Sequence, residues 1–192
     1  MKKSILKKIV FTILSLILAY NSYKLLLIFF ELEEGKFSVF AIIIAALAFS
    51  LLITGFVAFL GFVYPTSKLL PNTYFKIRHP KTLKTIYKWM GVEFFRFLLL
   101  KTFYREADNK KYFNGTKAGI LLFDYNTKQS EFGHLIALLL VFVVSVILLI
   151  QGHRTVFFWI QPFNIILNFY PIILQRKHRI ALQRLMMRSG QK

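Results

Sequence analysis

Glu131 and His134, in "SEFGH", stand three residues apart just before "LIALLLVFVVSVILLI", the longest uninterrupted apolar run of the chain. On a helix that spacing makes the two side chains neighbours. A carboxylate accepting one imidazole N–H fixes the tautomer and raises the basicity of the other nitrogen, as a general base requires. Ionisable groups near membrane depth are disproportionately functional. The same short pattern also suits an ordinary polar helix end, and spacing alone leaves both readings open. Further on, Gln161, Asn164, Asn168, Gln175 and Arg179 recur at three, four, seven and four residues, which holds them near one helical face. Two asparagines inside a hydrocarbon-length segment need partners, and either helix-to-helix bonding or substrate contact supplies them. Arg176 and Arg179 follow Tyr170 and Pro171 near the expected membrane boundary, where guanidinium groups can hold a phosphate or an acyl-CoA diphosphate. Lys177, Arg184 and Arg188 read as a tail attracted to anionic lipid.

Other chemistries find less support. E-x-x-H spacing also occurs in di-iron bundles, but those need a second such motif and further glutamates. The only histidines are His79, His134, His153 and His178, so no metal site is expected. Without cysteine there are no disulfides, zinc thiolates, cysteine thioesters or palmitoylation sites. No G-x-S-x-G, P-loop, dinucleotide fingerprint or H-x-x-x-x-D box is present, so an enzyme here is of a less familiar membrane type.

The elements that must position these residues are membrane helices. The 192 residues are 56% hydrophobic with 22 phenylalanines, and the mean hydropathy is +0.55. That composition predicts an all-α integral membrane protein, a single membrane domain over residues 1–192. Four segments are long enough for a hydrocarbon core of about 30 Å: Ile9–Phe30, Val39–Val63, Leu135–Ile150 and Val156–Leu174. They form two hairpins separated by a cytoplasmic insert, 64–134, and followed by a basic tail, 175–192. The net charge is +18, but 23 of the 26 lysines and arginines lie in the first eight residues, the insert and the tail. The short "ELEEGK" and "QGHRT" links receive almost none, so the positive-inside bias puts both termini and the insert in the cytoplasm of a multi-pass inner-membrane protein. Segregated charge of this kind points to a lipid surface rather than nucleic acid. Lys24 is expected to snorkel outward from the first span. The opening "MKKSILKKIVFTILSLILAY" has the basic-then-apolar order of a secretory signal, yet no convincing small-x-small cleavage site follows, so an uncleaved span is expected.

Within the insert, "EFFRFLLLKTFY" is too short to span and too apolar for a solvated loop. It reads as an interfacial helix with Arg96, Lys101 and Arg105 among the headgroups, or as a helix capping the bundle. Asp124, Asn126 and Thr127 are candidate N-caps for the third span, and from there Thr127, Ser130, Glu131, His134 and Leu138 share a face.

Taken in order, "LPNTYF" (Leu70–Phe75), "YKWMGV" (Tyr87–Val92), "SEFGH" and "NFYPIILQRKHR" (Asn168–Arg179) resemble the glycosyl-diaponeurosporenoate acyltransferase family over roughly residues 69–184. The tail is the most specific part. The resemblance implies a membrane acyltransferase that moves a fatty acyl group onto the sugar of a glycosylated carotenoid or similar glycolipid, the last step toward staphyloxanthin. Glu131, His134, Asn168, Gln175, Arg176 and Arg179 are the matching positions. In that reading His134 takes the acceptor hydroxyl's proton, Glu131 orients it, Arg176 and Arg179 hold the donor's phosphates, and Asn168 or Gln175 meets the oxyanion. The partners are membrane lipids and a lipid-linked glycoside acceptor. No bound cofactor is implied; acyl-CoA or another acyl thioester is the co-substrate, attacked directly. Two alternatives stand beside it: a small membrane methyltransferase or reductase, and a non-enzymatic protein binding anionic lipid or a partner.

Overall fold

The computed structural model describes residues 2–33, 35–102 and 116–188. Among them there is no strand. The first two helices are α1 (Lys2–Glu31) and α2 (Val39–Gly61). A 3-10 turn, Thr66–Leu69, then leads to the short helices α3 (Asn72–Phe75), α4 (Pro80–Trp89) and α5 (Val92–Thr102). Two long passages follow: α6 (Lys117–Ile150), and α7 (Arg154–Asn164), which runs through a π turn at Ile165–Phe169 into α8 (Tyr170–Arg188). Four helical stretches are long and apolar enough to cross a membrane: Ser4–Glu31, Val39–Gly61, Ala118–Ile150 and Arg154–Met187.

The chain divides into two compact units, Met1–Thr66 with Phe132–Phe169, and Ser67–Glu131 with Tyr170–Lys192. In the first unit both hairpins close through a glycine in the left-handed region, Gly35 at φ 94° and Gly152 at φ 98°, a backbone state that costs glycine little and other residues considerably more. Ser38 caps α2, its hydroxyl accepting from the Ala41 N–H at 3.2 Å. The core joins Phe29, Ile42, Ala46 and Phe49 of the first hairpin to Val141, Leu148, Val156 and Ile160 of the second. Phe29 and Phe49 meet edge to face, 5.7 Å between ring centres. Outward-facing Ile5, Ile9, Ile13, Leu16 and Ile17 of α1 are exposed, the apolar coat that a lipid-facing helix carries. Lys24 is exposed too and lies over the Tyr20 ring, 5.8 Å from its centre.

In the second unit α5 docks on α8. Phe95 stacks on Tyr170 at 5.0 Å, and the Tyr170 hydroxyl donates to the Met90 carbonyl at 3.1 Å. Val92 and Phe95 are buried while Phe94, Phe97 and Leu98 stay exposed, so α5 packs through one face and presents an apolar second face. The expected neighbours Phe103, Tyr104 and Arg105 lie outside the described residues.

The third and fourth spans are longer helices than hydropathy suggests. α6 begins at Lys117 instead of at Asp124, Asn126 or Thr127, and Thr116 supplies the cap, accepting from the Gly119 N–H at 3.0 Å. Asp124 instead sits about two turns inside the helix and pairs with Lys128 at 2.6 Å, an i,i+4 contact that favours continued helix. The tail likewise stays helical to Arg188 because α8 buries Ile172, Ile173, Leu174, Ile180 and Leu182.

In the first hairpin, a Cβ added at Gly55 would lie 2.8 Å from Leu18 Cδ1. The obstacle is the end of a rotatable side chain, so Gly55→Ala is expected to leave thermal stability in detergent nearly unchanged. Gly55→Leu should lower it by about 1–3 kcal/mol through overpacking.

Candidate active site

In the second unit a carboxylate is enclosed. Glu131 is 0% exposed and Arg179 is 1% exposed. Arg179 Nη1 donates to Glu131 Oε2, and Arg179 Nη2 lies 3.4 Å from the Thr127 hydroxyl. Arg176 Nε faces Glu131 Oε1 at 3.3 Å, and its Nη2 donates to the Tyr74 carbonyl at 3.0 Å. The four-residue α3, entered through Pro71, sets two consecutive aromatic rings over these cations: Tyr74 at 5.1 Å from the Arg176 guanidinium carbon and Phe75 at 5.0 Å from that of Arg179. Burial first, and then the Glu131 charge, push the Tyr74 hydroxyl above the ordinary tyrosine range.

In the first unit the ionisable group is His134, held by amides. Direction can be read along the chain of bonds. The Leu138 carbonyl can only accept, so Asn164 turns its Nδ2 to it at 3.1 Å. Asn164 Oδ1 then faces Asn168 and is met by Asn168 Nδ2 at 3.0 Å. That leaves Asn168 Oδ1 facing His134 Nδ1 at 3.3 Å and the Thr54 hydroxyl at 3.0 Å. An amide oxygen only accepts, so the network places a proton on His134 Nδ1. Pro171 has no N–H to offer the Leu167 carbonyl from four residues along, and the π turn holding Asn168 widens the helix at the same place.

These partners differ from the expected ones. Glu131 is committed to two guanidinium groups, and His134 takes Asn168 as its side-chain partner, so the Glu131–His134 dyad suggested by spacing is not formed by either side chain's bonds. A permanent charge with five donors outcompetes an imidazole for a buried carboxylate. Arg179, closed around Glu131, does not present its guanidinium to a phosphate in this conformation; Arg176 is partly exposed. Asn168, 0% exposed, has its amide committed on both sides. Gln175 is half-buried, and its amide makes no hydrogen bond among the described residues. Gln161 Nε2 donates to the Ser145 hydroxyl at 2.8 Å, an ordinary helix-to-helix bond. No group of three His, Asp or Glu side chains able to hold a metal ion is gathered among the described residues.

Sequence reasoning passed over Thr54 and Tyr74. Thr54 stands four residues after Ser50, both hydroxyls in an apolar span, a spacing that signals hydrogen bonding. Tyr74 lies inside "LPNTYF", which was read for resemblance and not for chemistry.

A protein-family model described as glycosyl-4,4'-diaponeurosporenoate acyltransferase matches residues 71–188. No curated protein and no solved structure matches the chain.

Removing Arg179 strands a buried carboxylate, so Arg179→Met should cost about 3–5 kcal/mol of stability. Glu131→Gln combined with Arg179→Met should cost clearly less than Arg179→Met alone. Thermal unfolding of the purified variants in one detergent checks both, and a double variant as unstable as the single one would contradict the enclosed pair.

Proposed function

This chain belongs to the glycosyl-4,4'-diaponeurosporenoate acyltransferase family, and on that premise we propose that it transfers a fatty acyl group from a thioester donor to a sugar hydroxyl of a glycosylated carotenoid or similar glycolipid. The observation that carries this reading is His134 Nδ1 set on Asn168 Oδ1, an arrangement that leaves the Nε2 lone pair for proton transfer. Nε2 takes the acceptor's hydroxyl proton as the oxygen attacks the thioester carbonyl carbon. The C–S bond then breaks, and the departing thiolate receives the proton from the imidazolium. Asn168 replaces Glu131 as the orienting partner of the histidine. Asn164 and Thr54 are positioning residues, since each reaches His134 only through the Asn168 amide.

The charge pattern supports an orientation with both termini in the cytoplasm of the cell membrane. Because the chain has no cysteine, an introduced one is an unambiguous reporter. Lys36→Cys should react with an impermeant maleimide on intact cells, and Lys68→Cys only after permeabilisation. The reverse labelling would invert the topology.

Labelled fatty acid supplied with a glycosylated carotenoid to cells making the protein should yield a labelled acyl-glycoside. His134→Ala at equal expression should lower its formation by about 10²–10⁴-fold. Asn164→Leu should lower kcat with KM little changed, the mark of an interaction that matters for the transition state. Equal product from wild type and His134→Ala would remove the histidine from the chemistry. No acylated product with the wild type in these cells, or among the lipids of cells that make the protein natively, would sink acyl transfer and favour a non-enzymatic, lipid-binding role.

A further inference from the structure

We propose that the cavity of about 300 Å³ lined by Lys76, Arg78, His79, Thr82 and Arg176 in the second unit binds phosphate esters. For the donor's identity this rests on the acyl-transfer reading, in which the phosphates are those of the acyl thioester.

The local sequence builds the cavity. Just after α3, Lys76 is extended at φ −74° and ψ 123°, and Phe75 and Ile77 are buried at 2% and 7% exposure, which anchors the segment. Lys76 and Arg78 are exposed, and both line the cavity beside Ile77. Neither makes an ion pair among the described residues. Lys128, Lys177 and Arg179, by contrast, have their charges met by Asp124, Glu93 and Glu131. No carboxylate lines the cavity.

Arg176 supplies the fixed wall. One edge of its guanidinium faces Glu131 and the Tyr74 carbonyl. Its Nη2 is bonded and its Nε lies against the carboxylate, while the residue also lines the cavity. A guanidinium held in this way is oriented before a ligand arrives, and its planar fork matches phosphate oxygens. Because Arg179 and Arg176 share one carboxylate, the trio keeps a net positive charge.

The start of α4 adds a secondary contribution. Pro80 occupies its first turn, and the N-cap His79 makes no side-chain capping bond. The Lys81 and Thr82 N–H groups are among those an α-helix cannot satisfy internally. Thr82 lines the cavity, which sets the first turn of α4 beside the same space as the cations, and the positive end of a helix dipole favours an anion nearby.

A phosphate ester can arrive from two sources, a soluble donor such as coenzyme A or the headgroup of an anionic lipid. The test uses the full chain in phosphatidylcholine nanodiscs, titrated with coenzyme A, and in detergent with dioctanoyl phosphatidylglycerol, binding being read as thermal stabilisation. The double variant Lys76→Ala/Arg78→Ala should lower affinity for the bound probe by about tenfold or more. The charge-keeping pair Lys76→Arg/Arg78→Lys should stay near wild type. Thr82→Glu, which sets a carboxylate in the cavity, should also abolish binding and gives a second variant should the first fail to fold. Loss of coenzyme A binding in the variants assigns the site to the donor. Loss of phosphatidylglycerol stabilisation without any coenzyme A binding assigns it to a lipid headgroup. Both probes unaffected in a folded variant, or neither bound by the wild type, overturns the proposal. Acyl transfer that persists unchanged in the variants overturns the donor assignment and leaves His134 in place; coenzyme A binding that depends on Lys76 and Arg78, without acyl-glycoside formation, keeps the site and sinks the transfer reading.

Discussion

A carboxylate stripped of water has to be neutralised where it stands, and in the second unit that requirement organises everything around Glu131. Desolvating an ion costs several kcal/mol, which attraction to one counter-ion recovers only with good geometry and further hydrogen bonds. Glu131 is met by a hydrogen bond from Arg179 to Oε2 and by the charge of Arg176 beside Oε1. These contacts tie elements together: Arg176 and Arg179 belong to α8, the carboxylate to α6, and the Tyr74 carbonyl, which accepts from Arg176, to α3. The aromatic rings of Tyr74 and Phe75 close the cations off from the other side. The buried charge also holds Arg176, which lines the open cavity with Lys76 and Arg78.

The first unit solves a similar problem with neutral groups. Polar atoms in an apolar interior cost free energy unless each finds a partner, and the run from Leu138 through Asn164 and Asn168 to His134 gives every member one. Since a carbonyl begins the run, each amide has a single sensible orientation, and the imidazole inherits its tautomer from it. Thr54 of α2 closes the network from a hairpin that precedes the segment shared with the family, residues 71–188. The N-terminal hairpin is therefore part of the histidine's surroundings as well as a membrane anchor.

The helical class, the four apolar passages and their pairing as two hairpins could be read from hydropathy and link length, because both are local properties of the chain. So could the residues of interest. Glu131, His134, Asn164, Asn168, Arg176 and Arg179 are all polar where their surroundings are apolar, and all prove to be engaged. Helix ends were less legible: α6 starts at Lys117 because Thr116 caps it and the Asp124–Lys128 pair sustains it, signals that weigh little against a change in hydropathy.

What the sequence alone could not decide was who pairs with whom. The three-residue step from Glu131 to His134 makes a pair geometrically possible, but a permanent guanidinium charge 48 residues away binds the carboxylate instead. The spacing of Asn168, Gln175 and Arg179 assumes 3.6 residues per turn, and the π turn at Ile165–Phe169 breaks that assumption. The sequence by itself determined which residues are polar, apolar or charged and how each helix repeats, since these depend on near neighbours. Only the tertiary structure decided the partners, because hydrogen bonds and ion pairs in a dry interior are chosen by competition among groups that the chain brings together from far apart.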